Sequence, residues 1–75
     1  MSTLRKLSGH DLIKILSKLG FEPKRQKGSH VILIKQSGNA RLGCVVPLHK
    51  ELKLGTIKNI LKQAKISEEE LERYL

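Results

Sequence analysis

The stretch GSHVILIKQSGNARLGCVVP, residues 28–47, decides the fold of this chain. Residues 30–36 are largely β-branched and apolar, which is typical of a strand, and residues 41–46 return as another strand that ends at Pro47. Residues 36–39, Gln-Ser-Gly-Asn, have the composition of a hairpin turn between these two strands. The pattern therefore predicts antiparallel strands joined by short turns.

The segment before this stretch predicts a helix followed by an edge strand. Ser8 and Asp11 resemble a helix N-cap, and apolar residues then recur with helical spacing, so we expect a helix over about residues 9–19. Residues 21–27 are mostly polar and contain Pro23, which lacks the N–H that a central strand donates. We therefore expect residues 21–27, the first strand along the chain, to lie at the edge of the sheet.

Two more helices are predicted after the strands. Gly55 and Thr56 open a helix whose apolar residues fall on one side, and Ser67 with Glu70 forms a capping box for a short last helix. The order is α-β-β-β-α with a short C-terminal helix. This is an α+β fold in which the two amphipathic helices cover one face of a three-stranded antiparallel sheet. A chain of 75 residues is expected to form one domain, residues 1–75.

The central strand is apolar on both of its faces. Val31 and Leu33 alternate with Ile32 and Ile34, so helices on one face leave the other face open. An uncovered apolar face predicts self-association or a binding protein, although shielding by loops would explain it equally well.

The chain is strongly basic. It has 15 lysines and arginines against 7 acidic residues, a net charge of +8, and such a charge attracts phosphate backbones, anionic lipid or an acidic protein. Lipid is the weakest of these partners, because the longest apolar run, residues 31–34, is far shorter than the roughly 20 residues that span a bilayer. Residues 1–6 lack the apolar core of a secretory signal. The single cysteine, Cys44, excludes an internal disulfide and is consistent with the cytoplasm.

His30 follows a run of basic residues and begins the central strand. Imidazole exchanges a proton near neutral pH, since its unperturbed pKa is about 6.5. Metal-free RNA cleavage needs a base for the 2′-hydroxyl proton, an acid for the 5′ oxygen and cations around the phosphate. His30 fits the role of acid or base. We expect Lys24, Arg25 and Lys27 to bind phosphate and to disfavour a second positive charge on the ring.

Gly28, Ser29 and His49 complete the candidate site. Gly28 permits close approach of the backbone to RNA, and the Ser29 hydroxyl is placed to donate a hydrogen bond to a phosphate oxygen. His49 follows Pro47 in a predicted loop and is a candidate for the complementary acid or a phosphate ligand, although an ordinary loop histidine is the commoner case. A Gly-Ser-His triplet alone is more often a turn and a half-buried strand residue.

Other binding chemistry has less support from the sequence. Lys58 and Lys62 lie on the polar side of the second predicted helix, where they are either RNA backbone contacts or a solvated face. One Phe and one Tyr are too few for a base-stacking platform, so the basic residues favour reading of phosphates and 2′-hydroxyls. Cys44, His49 and Glu51 lack the spacing of a closed zinc site, and we expect no metal or cofactor.

The chain resembles, nearly from end to end, the HicA (YcfA-like) toxins of bacterial and archaeal toxin–antitoxin pairs. The order and spacing of the shared residues are more specific than any one of them. These residues are Gly20-Phe21, Arg25, Gly28-Ser29-His30, Val46-Pro47, His49, Gly55-Thr56, residues 60–64 and Ser67.

The resemblance implies a double-stranded-RNA-binding-domain-like fold and an mRNA interferase, an endoribonuclease whose catalytic residue is His30. It also implies a HicB-type antitoxin that binds the toxin and blocks the site. A non-catalytic RNA-binding module and a protein-interaction subunit are the alternative hypotheses. The chain departs from the family at Lys65, where glycine is usual after Gln-Ala. Lysine there costs about 1 kcal/mol or more in a left-handed cap, or else the helix ends differently.

Overall fold

The computed structural model describes residues 7–75, and the stretch 1–6, which bears on the secretory-signal prediction, lies outside them. The predicted order of elements is confirmed. The strands form one antiparallel sheet in the order β1-β2-β3, so β1 is an edge strand as its proline predicts. The elements are α1 (Gly9–Lys18), β1 (Glu22–Lys27), β2 (His30–Ser37), β3 (Ala40–Pro47), α2 (Leu54–Ala64) and α3 (Glu68–Glu72).

Capping boxes begin two of the three helices, at the predicted N-cap Ser8 and at the predicted capping box of Ser67 with Glu70. Ser8 Oγ accepts from the Asp11 N–H at 3.0 Å, and the Ser8 N–H donates to Asp11 Oδ2 at 3.2 Å. Hydrogen bonds from the backbone and side chain of Ser8 lower the pKa of Asp11. Ser67 and Glu70 make the same reciprocal pair at α3. The start of α2 differs from prediction by one residue, because the helix begins at Leu54 after an extended Lys53 without a side-chain cap.

Two glycine-first turns set the register of the sheet. Gly28 has φ 58° and Gly38 has φ 59°, values that a two-residue hairpin loop needs at its first position. The loops therefore pair Lys27 with His30 and Ser37 with Ala40. The one irregularity is a bulge between Pro23 and Arg25 in β1.

The hydrophobic core lies between the helices and one face of the sheet. On this covered face Val31 and Leu33 of β2 are buried beside Cys44 and Val46 of β3. Helices α1 and α2 both pack against strands, and their buried residues join the same cluster, to which Phe21 also belongs. The prediction that two helices cover one face is confirmed. Among residues 7–75 no helix is long and apolar enough to cross a membrane.

The structure shows how α2 ends at Lys65, where the toxins that the chain resembles usually have glycine. Lys65 adopts the left-handed conformation, with φ 60° and ψ 40°. The Ile66 N–H donates to the Leu61 carbonyl at 2.9 Å, and the Lys65 N–H donates to the Lys62 carbonyl at 3.3 Å. These bonds close the helix in the way that a glycine-terminated helix closes. The helix therefore keeps the left-handed ending and accepts a lysine in a conformation that strains L-residues.

Candidate functional site

The opposite face of the sheet, which we call the open face, carries His30. Residues paired across neighbouring antiparallel strands project to the same side of a sheet, and alternate residues of one strand share a face. His30 pairs with Lys27 of β1, and Ile32 pairs with Arg25 of β1 and Val45 of β3. His30, Arg25 and Lys27 therefore share the open face.

The His30 side chain is exposed at the first position of β2. Within residues 7–75 its ring nitrogens have no hydrogen-bond or ion-pair partner, so both are available to a ligand. The cationic side chains of Arg25 and Lys27 are exposed beside it. An accessible imidazole with two flanking cations is an arrangement suited to proton transfer at a bound phosphate.

The turn before His30 is fastened to the loop that follows β3. The Leu48 N–H donates to the Ser29 carbonyl at 2.6 Å, and Gln26 Nε2 donates to the Gly28 carbonyl at 3.0 Å. A side chain added at Gly28 would meet no atom within 4 Å, so the turn is open to a bound strand. The structure thus brings Gly28 and Ser29 to the edge of the open face.

His49 lies at the same end of the sheet as His30. Pro47 pairs with His30, and the His49 carbonyl accepts from the Gly9 N–H at 2.9 Å. This bond fixes the loop backbone against the start of α1 and leaves the His49 side chain exposed. His49 therefore stays a candidate for the second proton-transfer group or for a phosphate ligand.

Lys24 is placed differently from its basic neighbours. It falls within the bulge of β1, and its Nζ forms an ion pair with Glu22 at 3.0 Å. Lys24 lines a shallow depression at the far end of the open face from His30. Lys24 therefore shares the open face with Arg25 and Lys27, but its ammonium group is paired with a carboxylate and lines the depression.

Lys58 and Lys62 are not brought together with His30. On α2, Gln63 Oε1 accepts from the Val45 N–H of β3 at 3.4 Å, whereas Lys58 Nζ lies 3.9 Å from Glu68 of α3. Residues advance about 100° per position around a helix, so Lys58 lies about 140° and Lys62 about 100° around α2 from Gln63. They are exposed on the helical side of the molecule.

Arg41 was not recognised in the sequence, yet it lies on the open face. Arg41 of β3 pairs with Gln36 of β2. Gln36 is an even number of residues, six, beyond His30 on β2, so Gln36 and Arg41 project to the same face of the sheet as His30. Ile32 and Ile34 are half-buried on this face, and Val45 is 39 % exposed. The turn that begins at Gly38 fixes the pairing of β2 with β3, and this pairing places Arg41 on the open face.

The two groups whose pKa values are shifted, Asp11 in α1 and Cys44 on the covered face, lie away from the open face. Burial raises the pKa of Cys44 to about 11, which removes this thiol as a nucleophile near neutral pH. Among residues 7–75 no cluster of three or more His, Cys, Asp and Glu side chains is arranged to hold a metal ion. The open face carries the imidazole of His30 with the guanidinium of Arg25 and the ammonium group of Lys27.

Comparison with known proteins adds one finding. A family model described as the HicA toxin of bacterial toxin–antitoxin systems matches residues 9–66. The match runs from the first turn of α1 to the residue before the α3 cap and includes the whole sheet. A search of curated proteins finds no match.

Proposed function

This chain belongs to the HicA toxin family, and from that membership we propose that it is an mRNA interferase, a small endoribonuclease that cleaves RNA without a metal. The observation that carries the proposal is the exposed, unpartnered imidazole of His30 on the open face beside Arg25 and Lys27. The family accounts for the toxin role, and the geometry supports the choice of His30.

In the proposed reaction, His30 acts as general base or general acid. As a base it removes the proton of a ribose 2′-hydroxyl, whose oxygen then attacks the adjacent phosphorus. The bond to the 5′ oxygen breaks, the 5′ oxygen gains a proton, and a 2′,3′-cyclic phosphate remains on the upstream fragment. Arg25 and Lys27 stabilise the negative charge that develops on the phosphate oxygens. One positioned acid or base contributes about 10²- to 10⁴-fold to the rate, so the enzyme is expected to be slow.

Several neighbouring groups have proposed supporting roles. The Ser29 hydroxyl donates a hydrogen bond to a phosphate oxygen, and Gly28 lets the RNA backbone approach the turn. His49 is our candidate for the group that completes the acid–base pair, because its loop is tied to the turn that precedes His30. Lys24 and, on longer RNA, Lys58 and Lys62 supply further phosphate contacts.

Two histidine variants test the proposal. In the presence of a chelator, purified His30→Ala should cleave RNA at least about 10²-fold more slowly than the parent while it still binds RNA. Its induced expression should no longer arrest growth. His10→Ala is the matched control, because His10 is also exposed but lies in the first turn of α1.

The outcomes separate the three hypotheses. Equal cleavage by His30→Ala and the parent would show that His30 is not the catalytic residue. RNA binding without any fragments from the parent would identify a non-catalytic RNA-binding module. Negligible salt-dependent RNA binding would identify a protein-interaction subunit.

We also propose that a HicB-type antitoxin neutralises this protein in the cytoplasm. An acidic, site-covering partner would complement the net charge of +8 and would cover Ile32 and Val45 together with His30. A short reading frame for such a protein beside this gene would support the pairing. Inhibition of RNA cleavage by its purified product is the direct measurement.

A further inference from the structure

We propose that the open face holds a second phosphate subsite, formed by Arg41 with Gln36 and Lys24, and that a single RNA strand lies along β2 between this subsite and His30. The inference rests on the proposed function and adds to it the path and the strandedness of the substrate. It concerns residues that have no part in the proton transfer.

The subsite has the shape and donors that a phosphate needs. The depression at the far end of the open face has a volume of about 350 Å³, and Gly20 leaves part of its wall without a side chain. Gln36 donates one amide hydrogen to the Gly38 carbonyl at 3.5 Å and keeps a second one for a ligand. Arg41 supplies a planar guanidinium, which binds phosphate through two parallel hydrogen bonds.

The charges in the depression favour an anion. Glu22 also lines it, but Lys24 neutralises that carboxylate across 3.0 Å. Arg41 has no ion-pair partner in the part of the chain that the structure describes. The surplus charge in the depression is therefore that of the Arg41 guanidinium.

The distance between the two ends of the face suits a short strand. His30 and Gln36 are six residues apart on β2, which corresponds to about 20 Å at about 3.3 Å per residue. A strand with unstacked bases advances farther than the roughly 3.4 Å per nucleotide of a stacked strand, so it covers this length with at most about six nucleotides. RNA that reaches both His30 and Arg41 is therefore an oligonucleotide rather than a dinucleotide.

The surface between the two ends favours a single strand over a duplex. Ile32, Ile34 and Val45 form an apolar floor there, and Gly43 adds no side chain above it. A duplex presents phosphates and hydroxyls and keeps its base faces stacked, whereas a single strand can turn unstacked bases toward an apolar surface. The cationic side chains at the two ends of the open face would contact phosphates, and the apolar floor between them would contact the bases of the same strand.

Binding measurements on Arg41→Gln test the inference. The probe is 2′-O-methylated single-stranded RNA of about ten nucleotides, which lacks the attacking hydroxyl and stays intact. Arg41→Gln should weaken its binding about tenfold and reduce the slope of log affinity against log salt by about 0.7, the value for one phosphate contact on a single strand. A methylated dinucleotide should bind both proteins equally. Arg73→Gln is the matched control, because it removes the same charge from the exposed carboxyl end of α3.

Three results would overturn the inference: equal effects of Arg41→Gln and Arg73→Gln, an equal loss with the dinucleotide, or tighter binding of a duplex than of a single strand. None of these depends on whether His30 is catalytic. Failure of the cleavage proposal would instead appear as undiminished RNA cleavage by His30→Ala.

Discussion

Cys44 shows how burial of a residue suppresses its chemistry. The side chain is 3 % exposed on the covered face of the sheet, and burial raises its pKa to about 11 from an ordinary value of 9.0. Because the thiolate is the reactive form, we expect native Cys44 to resist iodoacetamide at pH 8 and to react promptly in denaturant. Mass spectrometry of the alkylated protein measures both. Rapid alkylation of the folded protein would contradict the burial.

The same residue gives a pH dependence with a definite sign. The folded pKa is the higher one, so between pH 9 and about 11 the unfolded chain loses the thiol proton while the folded chain keeps it. The free energy of unfolding should therefore fall as the pH rises through this window. Cys44→Ala should lose this contribution, and the difference in slope between the two proteins in urea titrations isolates it.

Individual site residues were predictable to different degrees. His30 was identified from its type and its basic neighbours, and its exposure at the start of β2 agrees with that prediction. Arg41 was missed because it has no basic neighbours in sequence. The role proposed for it depends on pairing with Gln36, which only the hairpin register places on the His30 face. Counting alternate residues outward from the turn at Gly38 would have found it.

Lys65, at the C-terminal end of α2, gives a prediction about the stability of the protein. Its left-handed conformation strains an L-residue, whereas glycine adopts it freely. Lys65→Gly should therefore raise the free energy of unfolding by about 1 kcal/mol, measured by urea denaturation. Lys62→Gly is the contrasting control. Lys62 lies in the last turn of α2 in a right-handed helical conformation, so glycine there should lower stability by up to about 1 kcal/mol. Destabilisation by both variants would show that Lys65 makes contacts worth more than the strain.

Elements with local signals were predicted well. Capping boxes, glycine turns and apolar periodicity each depend on residues close together in the sequence. From them the three helices and three strands were predicted close to their observed bounds. The bulge in β1 was not predicted, because it arises from pairing with β2 rather than from a local pattern. That bulge leaves both Lys24 and Arg25 on the open face, whereas strict alternation would place these neighbours on opposite faces, so the position of Lys24 in the candidate site was beyond sequence reasoning.

For the whole molecule, the position of the helices determines what the open face can do. Both α1 and α2 pack on one side, and α3 with its glutamates joins that side through Leu71 and the Lys58–Glu68 pair. The other side keeps His30 and Val45 on one surface. Whatever covers the apolar residues therefore also covers the imidazole. Self-association and antitoxin binding, both still predictions, should each compete with RNA.

The distribution of basic residues over the two sides gives a prediction that depends on RNA length. Two double variants, Arg25→Gln/Lys27→Gln on the open face and Lys58→Gln/Lys62→Gln on α2, remove the same charge. With single-stranded RNA of about six nucleotides, only the first should weaken binding and lower the salt slope, by about 1.4 for two phosphate contacts. With RNA long enough to pass around the molecule, the second should lower the slope as well.

The loss of the exposed Lys58–Glu68 pair, at 3.9 Å, should have little effect on stability, so unfolding does not confound this comparison. Salt titrations of binding at both lengths are the measurement. Equal effects of the two double variants on the short RNA would contradict the open face as the RNA-binding surface. An unchanged slope for Lys58→Gln/Lys62→Gln on the long RNA would instead show that the α2 lysines are only a solvated face. Length is the deciding variable, because a short strand held at His30 does not reach the helical side.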